Sequence, residues 1–171
     1  MDIIKIQYLK TPLGEMILGS YKNKLCMADW RYRKMRSSID RRVQKGLNAT
    51  FVEEESRVLK LAREELEVYF RGKRKTFDLP LLLVGTEFQK SVWQGLMKIP
   101  FGVTISYLDL AKSINNEKAV RAVASAVGAN ALSIFIPCHR IIGSDGSLTG
   151  YAGGLEAKRK LLEIESNLFV I

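Results

Sequence analysis

A two-domain α/β (α+β) architecture is predicted for this 171-residue chain. Three observations predict it. Short apolar runs, parted by turn signals, occupy the first stretch as in an antiparallel meander. An amphipathic pattern of helical period follows over 53–70. Beyond Gly85 the chain changes to short capped helices and tight turns. The boundary is therefore placed there. Residues 1–84 would form an N-terminal domain, a small sheet carrying one helix. Residues 85–171 would form a mostly helical C-terminal domain.

The elements follow in order. Ile3–Leu9, Glu15–Ser20 and Lys24–Trp30 are strands, separated by turns at Thr11-Pro12-Leu13-Gly14 and Lys22-Asn23. Arg31–Gly46 is polar and basic, a loop or a short solvated helix. Glu53–Phe70 is a helix with acids in its first turn, where the dipole favours them. Its apolar residues Val58, Leu59, Ala62, Leu66, Tyr69 and Phe70 share a face, and Gly72 stops it. Phe77–Leu83 contains Pro80, which suits an edge strand or a linker. Thr86 and Gln89 form a capping box, and Pro100 and Gly102 end the helix that follows. Ser106 caps the next helix. Asn115-Asn116 turns the chain into a third, Glu117–Val127, closed by Gly128. Two short helices joined this way resemble a helix-turn-helix.

Composition narrows the function. About half the residues are hydrophobic and a quarter charged, enough for a packed core. No run approaches the roughly 18 apolar residues of a membrane span. The opening MDIIKIQYLKTPLGEM lacks a basic segment followed by a long apolar one, so a cytoplasmic protein is expected. Two cysteines and one histidine are too few for a zinc site of the usual kind, and no metal or cofactor is expected. Net charge is +9. Residues 1–85 hold 18 basic and 11 acidic side chains, residues 86–171 hold 9 and 7. The excess favours a polyanionic partner, most simply nucleic acid.

The chemistry gathers in the second half. Projected as a helix, Glu117–Ala129 puts Val120, Val123, Ala124 and Val127 on a core face. Lys118, Ala122, Ser125, Ala126 and Ala129 lie opposite, with Arg121 at the margin. Major-groove readers present several long polar side chains. A small-residue face with one long cation suits close approach to the minor groove and disturbance of the stack. Ser133–Ile136 reads as a buried strand leading into Pro137-Cys138-His139-Arg140. A cysteine beside the only histidine is a candidate activated thiol, since the thiolate is the nucleophile.

Ile136-Pro137-Cys138-His139-Arg140-Ile141-Ile142 resembles the signature of the O6-alkylguanine-DNA alkyltransferase family. The resemblance runs from about Thr86 to Glu165. It takes in Phe101–Tyr107 before the first DNA-binding helix, Ala119–Val123 in the recognition helix, Gly128-Ala129-Asn130 at a hinge, and Gly150–Leu155 in the substrate loop. It implies a ribonuclease H-like N-terminal domain, and a C-terminal domain with the helix-turn-helix and the thiol on a short strand. The implied function is direct repair of double-stranded DNA containing O6-alkylguanine. One alkyl group passes irreversibly from O6 of guanine, or O4 of thymine, to the protein's own cysteine, and a monomer acts once.

The roles come with that resemblance. Cys138 would accept the alkyl group. His139 would deprotonate it through a water, and Glu165 would orient His139. Asn130 would hold the turn between recognition helix and thiol. Arg121 would replace the flipped nucleotide in the stack, on a DNA-binding face with Ala122, Ser125 and Ala129. Tyr107 would contact the flipped base and its phosphate, and Tyr151 would wall its pocket. The N–H of Ala152 would face O6, and the carbonyls of Cys138 and Ile141 would accept from the exocyclic amine. Chemistry independently requires flipping, because a stacked base cannot offer its O6 substituent to a thiol. Two other functions fit parts of the pattern. A non-catalytic lesion-recognition or regulatory DNA binder would leave the thiol inert. A Cys/His hydrolase would turn over and need no Arg121. Some relatives hold an N-terminal zinc. This chain offers only Cys26 there, in an apolar run, so a core position is expected for it.

Overall fold

The computed structural model describes residues 2–166. Met1 and residues 167–171, the outer ends of the two expected domains, lie outside the described residues. The chain begins with three antiparallel strands, β1 (Asp2–Thr11), β2 (Gly14–Tyr21) and β3 (Lys24–Trp30). These are the expected meander. Alternation sets the faces: Met16 and Leu18 turn to one side, Ile17 to the other.

Helix α1 (Arg36–Leu47) follows, then β4 (Ala49–Glu53), which pairs parallel to β1 and gives the order β3-β2-β1-β4. Two expectations change here. The basic stretch Arg31–Gly46 contains a full helix, because Ile39 and Val43, one turn apart, bury against the sheet with Ile4, Ile6 and Cys26. Cys26 is a core residue, its thiol pushed up to about 12 by burial. The helix expected from Glu53 starts later, as α2 (Arg57–Phe70). Glu53 belongs to β4, and Ser56 is the cap, its Oγ accepting from the Leu59 N–H at 3.1 Å. Strand pairing and a serine cap outweigh the dipole preference of three acids.

Residues 77–84 run beside β3 with two backbone hydrogen bonds around Leu25, to the Pro80 carbonyl and from the Leu82 N–H. They form a linker with isolated bridges. The second half starts at α3 (Glu87–Met97), whose Thr86–Gln89 capping box is present in both directions. A short strand β5 (Ile105–Ser106) leads to α4 (Tyr107–Ser113), capped by Ser106 as expected. One 3₁₀ turn, Glu117–Ala119, precedes α5 (Val120–Gly128). Then come β6 (Ile141–Ile142), parallel to β5, and α6 (Leu155–Glu165).

Ser133–Ile136 is not a strand. Ser133 bonds back to β3 through Ala28, and the Ile136 N–H reaches the Leu132 carbonyl, closing a tight turn. Ile134 takes a positive φ of 75° at the bend. A β-branched residue there costs on the order of 1–3 kcal/mol. Packing holds it, because Ile134 is buried within the core that also contains Leu25, Trp30, Leu59 and Cys138. That core draws on both halves of the chain. Among the described residues no helix is long and apolar enough to cross a membrane.

Candidate active site

Cys138 does not sit on a strand; it opens a 3₁₀ turn, Cys138–Arg140, directly after Pro137. Its N–H donates to the Ile136 carbonyl at 2.8 Å. The same carbonyl accepts from Asn130 Nδ2 at 3.0 Å, while Asn130 Oδ1 accepts from the Leu132 N–H at 2.9 Å. One buried amide therefore braces the whole turn between α5 and the thiol. Burial raises the Cys138 thiol above its ordinary value, and the adjacent Asn130 side chain opposes that effect. At rest the group is a thiol, so a base must take its proton before it can attack.

His139 follows in the same 3₁₀ turn. His139 is fully buried, and its Nε2 is 2.7 Å from Glu165 Oε2. Glu165 closes α6, where a carboxylate opposes the helix dipole. It is held there by Tyr69, whose hydroxyl donates at 2.6 Å, and by Arg140, which donates from Nε at 2.7 Å and from Nη2 at 3.1 Å. Burial alone would raise the pKa of Glu165. Hydrogen bonds from His139 and Arg140, with the Arg140 charge, overcome this and hold it at about 2. An ionised Glu165 accepts, so the tautomer that donates to it from His139 Nε2 is the one that leaves a lone pair on Nδ1. Nδ1 is buried and has no protein partner among the described residues.

A pH dependence of stability follows. The folded pKa of Glu165 lies below its unfolded value of 4.5. The stabilisation is therefore complete above about 4.5 and is lost as pH falls towards about 2. Thermal melts of the wild type should show this acid loss, and Glu165→Gln should flatten it. Parallel curves for the two proteins would show that Glu165 does not carry the effect.

A cleft of about 650 Å³ opens over Cys138. Tyr107, Asn130, Tyr151 and Ala152 are among the residues that line it. Thr149 Oγ1 donates to the Tyr107 hydroxyl at 3.2 Å. Ile141 is buried in β6 and lies outside the lining, as does His139 behind the thiol. Sequence reasoning missed one whole wall, Tyr32, Arg33, Lys34 and Met35, from the N-terminal half. That half also holds the substrate loop. Trp30 Nε1 donates to the Tyr151 hydroxyl at 3.1 Å, and the Tyr32 hydroxyl donates to the Gly153 carbonyl at 2.8 Å. A Cβ on Gly153 would come within 2.7 Å of the Trp30 indole, so only glycine permits this approach.

On α5, Arg121, Ala122 and Ser125 are exposed together and Ala129 is half-buried. One assignment changes: Ala126 belongs to the core, beside Val123 and Val127. Ala124, Val127 and Gly128 line the cleft. The small-residue face thus continues from the open surface into the thiol's cleft.

Fold and cleft together define a class: an α+β protein that sets a free cysteine in a cleft behind the second helix of a helix-turn-helix. Comparison with known proteins narrows it. The model for the 6-O-methylguanine DNA methyltransferase DNA binding domain matches residues 87–167, and that for its ribonuclease-like domain matches residues 4–83. A methylated-DNA–protein-cysteine methyltransferase of Methanosarcina barkeri is 43% identical over 159 residues, covering 93% of this chain and 95% of that one. The constitutive methylated-DNA–protein-cysteine methyltransferase of Bacillus subtilis is 43% identical over 157 residues, 91% and 92% of the two chains. The crystal structure of Mycobacterium tuberculosis OGT in complex with DNA superposes with a TM-score of 0.81 at 35% identity, covering 95% of this chain and 92% of that one. This chain belongs to the 6-O-methylguanine DNA methyltransferase family.

Proposed function

We propose that the protein repairs DNA directly, moving the alkyl group of O6-alkylguanine in a duplex onto Cys138, once and irreversibly. The observation that carries this is the buried Cys138 at the foot of the cleft, with the His139–Glu165 pair behind it and the small-residue face of α5 beside it. The proton of Cys138 passes through a water to His139 Nδ1. The sulfur then attacks the alkyl carbon; a C–S bond forms and the C–O bond breaks. The guanine O6 leaves with the electron pair, and the proton held by His139 passes back through the water to the departing guanine. The thioether has no hydrolytic exit, so the protein is spent.

The other groups serve binding and departure. Tyr107 and Tyr151 offer aromatic surface to an extruded base. The N–H of Ala152 faces O6 and supports its developing charge. The carbonyl of Cys138 selects the exocyclic amine, whereas that of Ile141, buried in β6, lies outside the cleft. Arg121 fills the vacated stack, and Ala122, Ser125 and Ala129 allow α5 to approach the groove. O4-alkylthymine is the second substrate. A single chain supplies cleft, base and reading face, so the working unit is a monomer. DNA as substrate and the two free cysteines suit a cytoplasmic site of action. The division near residue 85 separates DNA reading and transfer from a supporting N-terminal part.

Incubation with an oligonucleotide bearing labelled O6-methylguanine, then peptide mapping, tests the reading directly. Label on the peptide containing Cys138 is expected; label elsewhere, or none, would refute it. Arg121→Ala should slow transfer from duplex DNA far more than transfer from the free base, because only a duplex has a stack to vacate. Equal losses on both substrates would contradict its role.

A further inference from the structure

The basic segment that follows β3 has an internal use that the alkyl-transfer reading does not absorb. A helix ends with carbonyls that lack intrahelical partners, and its C-terminus carries partial negative charge. Helix α5 has no basic residue in its own last turn. Other parts of the chain supply the donors instead. Trp93 Nε1 donates to the Ala126 carbonyl at 2.8 Å. Arg33 Nη2 donates to the Gly128 carbonyl at 2.6 Å, and its Nη1 to the Asn130 carbonyl at 3.2 Å. Arg42 Nη2 donates to the Ala129 carbonyl at 2.8 Å and its Nε to the Val84 carbonyl at 3.1 Å. Carbonyls 128, 129 and 130 in succession are thus held by two guanidinium groups from residues 31–45.

The clamp is itself anchored. Asp29 is fully buried and accepts from Arg33 Nη1 at 3.0 Å, from Arg36 Nη1 at 3.1 Å and from Ser133 Oγ at 3.2 Å. Ser133 lies in the turn that Asn130 braces. The N-terminal sheet therefore grips both sides of the junction between the DNA-reading helix and Cys138.

We propose that Arg33 and Arg42 are positioning residues for alkyl transfer: by fixing the carbonyls of residues 128–130, they hold α5 in register with the thiol. The proposal rests on the alkyl-transfer reading. A duplex substrate engages α5 and the cleft at once, so transfer from it requires that register. A free base needs only the cleft. The planar guanidinium fork presents its donors in fixed directions, which lets Arg33 reach Asp29 and the carbonyls of Gly128 and Asn130 at once.

Arg42→Met is the informative variant, because the hydrogen bonds of Arg42 go to carbonyls only, its guanidinium lies 5.2 Å from the centroid of the Trp93 ring, where a thioether can still pack, and its loss strands no buried carboxylate. The full chain would be assayed with a duplex containing one O6-methylguanine and with O6-methylguanine as the free base. Duplex affinity should stay within about twofold, while transfer at saturating duplex should fall roughly tenfold or more, as for misplaced reacting groups. Transfer from the free base should change less than about threefold. Arg42→Lys should recover most of the duplex rate, since an ammonium still reaches the Ala129 carbonyl. Arg33→Lys keeps the charge beside Asp29 but not the fork that reaches both carbonyls, and transfer at saturating duplex should fall here too. An unchanged saturating rate in the folded variants overturns the proposal. So does an equal loss on both substrates, or a loss confined to affinity. A wild-type protein that transfers from neither substrate would instead remove the alkyl-transfer reading beneath it.

Discussion

Cys138→Ser is expected to abolish alkyl transfer while leaving duplex binding within about twofold of wild type. Nucleophilic attack needs a thiolate, and a serine hydroxyl at neutral pH is far harder to ionise and a weaker nucleophile. His139 has to extract a proton even from a thiol that burial holds neutral. It has much less prospect of doing so from an alcohol. Binding should survive because the exposed face of α5 carries Arg121, Ala122 and Ser125, whereas Cys138 lies inside the cleft and is 6% exposed. The fold should survive too. The turn is shaped by the Cys138 N–H and the Ile136 carbonyl, which the substitution leaves in place, and by the Asn130 amide, beside which a serine hydroxyl can still accept a hydrogen bond. Intact mass after mixing with methylated duplex reads transfer, and a gel-shift titration reads binding. Wild-type transfer in the serine variant would displace the nucleophile from Cys138. Lost affinity with no transfer would mean that the thiol also contributes to DNA recognition.

What the residues disclosed, and what they withheld, divides by range of interaction. The three strands of the meander, the Thr86–Gln89 capping box and the Ser106 cap were legible because alternation and caps are local patterns. The Cys138-His139 pair was legible for the same reason. Strand β4 was not, since it exists by parallel pairing with β1, and its acids imitate the first turn of a helix. Helix α1 was half-legible: Ile39 and Val43 make a thin stripe amid arginines. The turn at 133–136 reads as a strand because four residues in a row are fully buried, and only tertiary packing can hold Ile134 at positive φ. Glu165 shows the limit most clearly. By local rules it is an ill-placed acid at a helix end. Its partners arrive from two separate elements, Tyr69 from α2 and His139 with Arg140 from the 3₁₀ turn after Pro137, and only the family resemblance pointed to it. The wall from Tyr32 to Met35 and the guanidinium clamp left only a basic composition as their signal.

Glu165 is also where a single substitution should cost most in stability. Glu165→Ala removes the acceptor for three buried donors at once: the Tyr69 hydroxyl, His139 Nε2 and the Arg140 guanidinium. Arg140 would remain buried, with the Ile99 carbonyl at 2.5 Å as its remaining partner. Breaking a buried pair by deleting one partner typically costs about 3–5 kcal/mol, because the other charge is left uncompensated. At roughly 2–4 °C per kcal/mol for a chain of this size, Tm should fall by roughly 6–20 °C. Glu165→Gln retains the shape and one acceptor oxygen, so its loss should be smaller. Activity separates the two roles. The glutamine can offer an N–H to His139 Nε2, which would move the ring proton to Nδ1 and block the lone pair that serves Cys138. Transfer by folded Glu165→Gln should therefore slow by about 10²–10⁴-fold, the usual contribution of a positioned base. Single-turnover transfer well below the Tm of each variant makes the comparison. A glutamine variant that melts close to wild type and still transfers at the wild-type rate would reduce Glu165 to a structural anchor and take His139 out of the proton path.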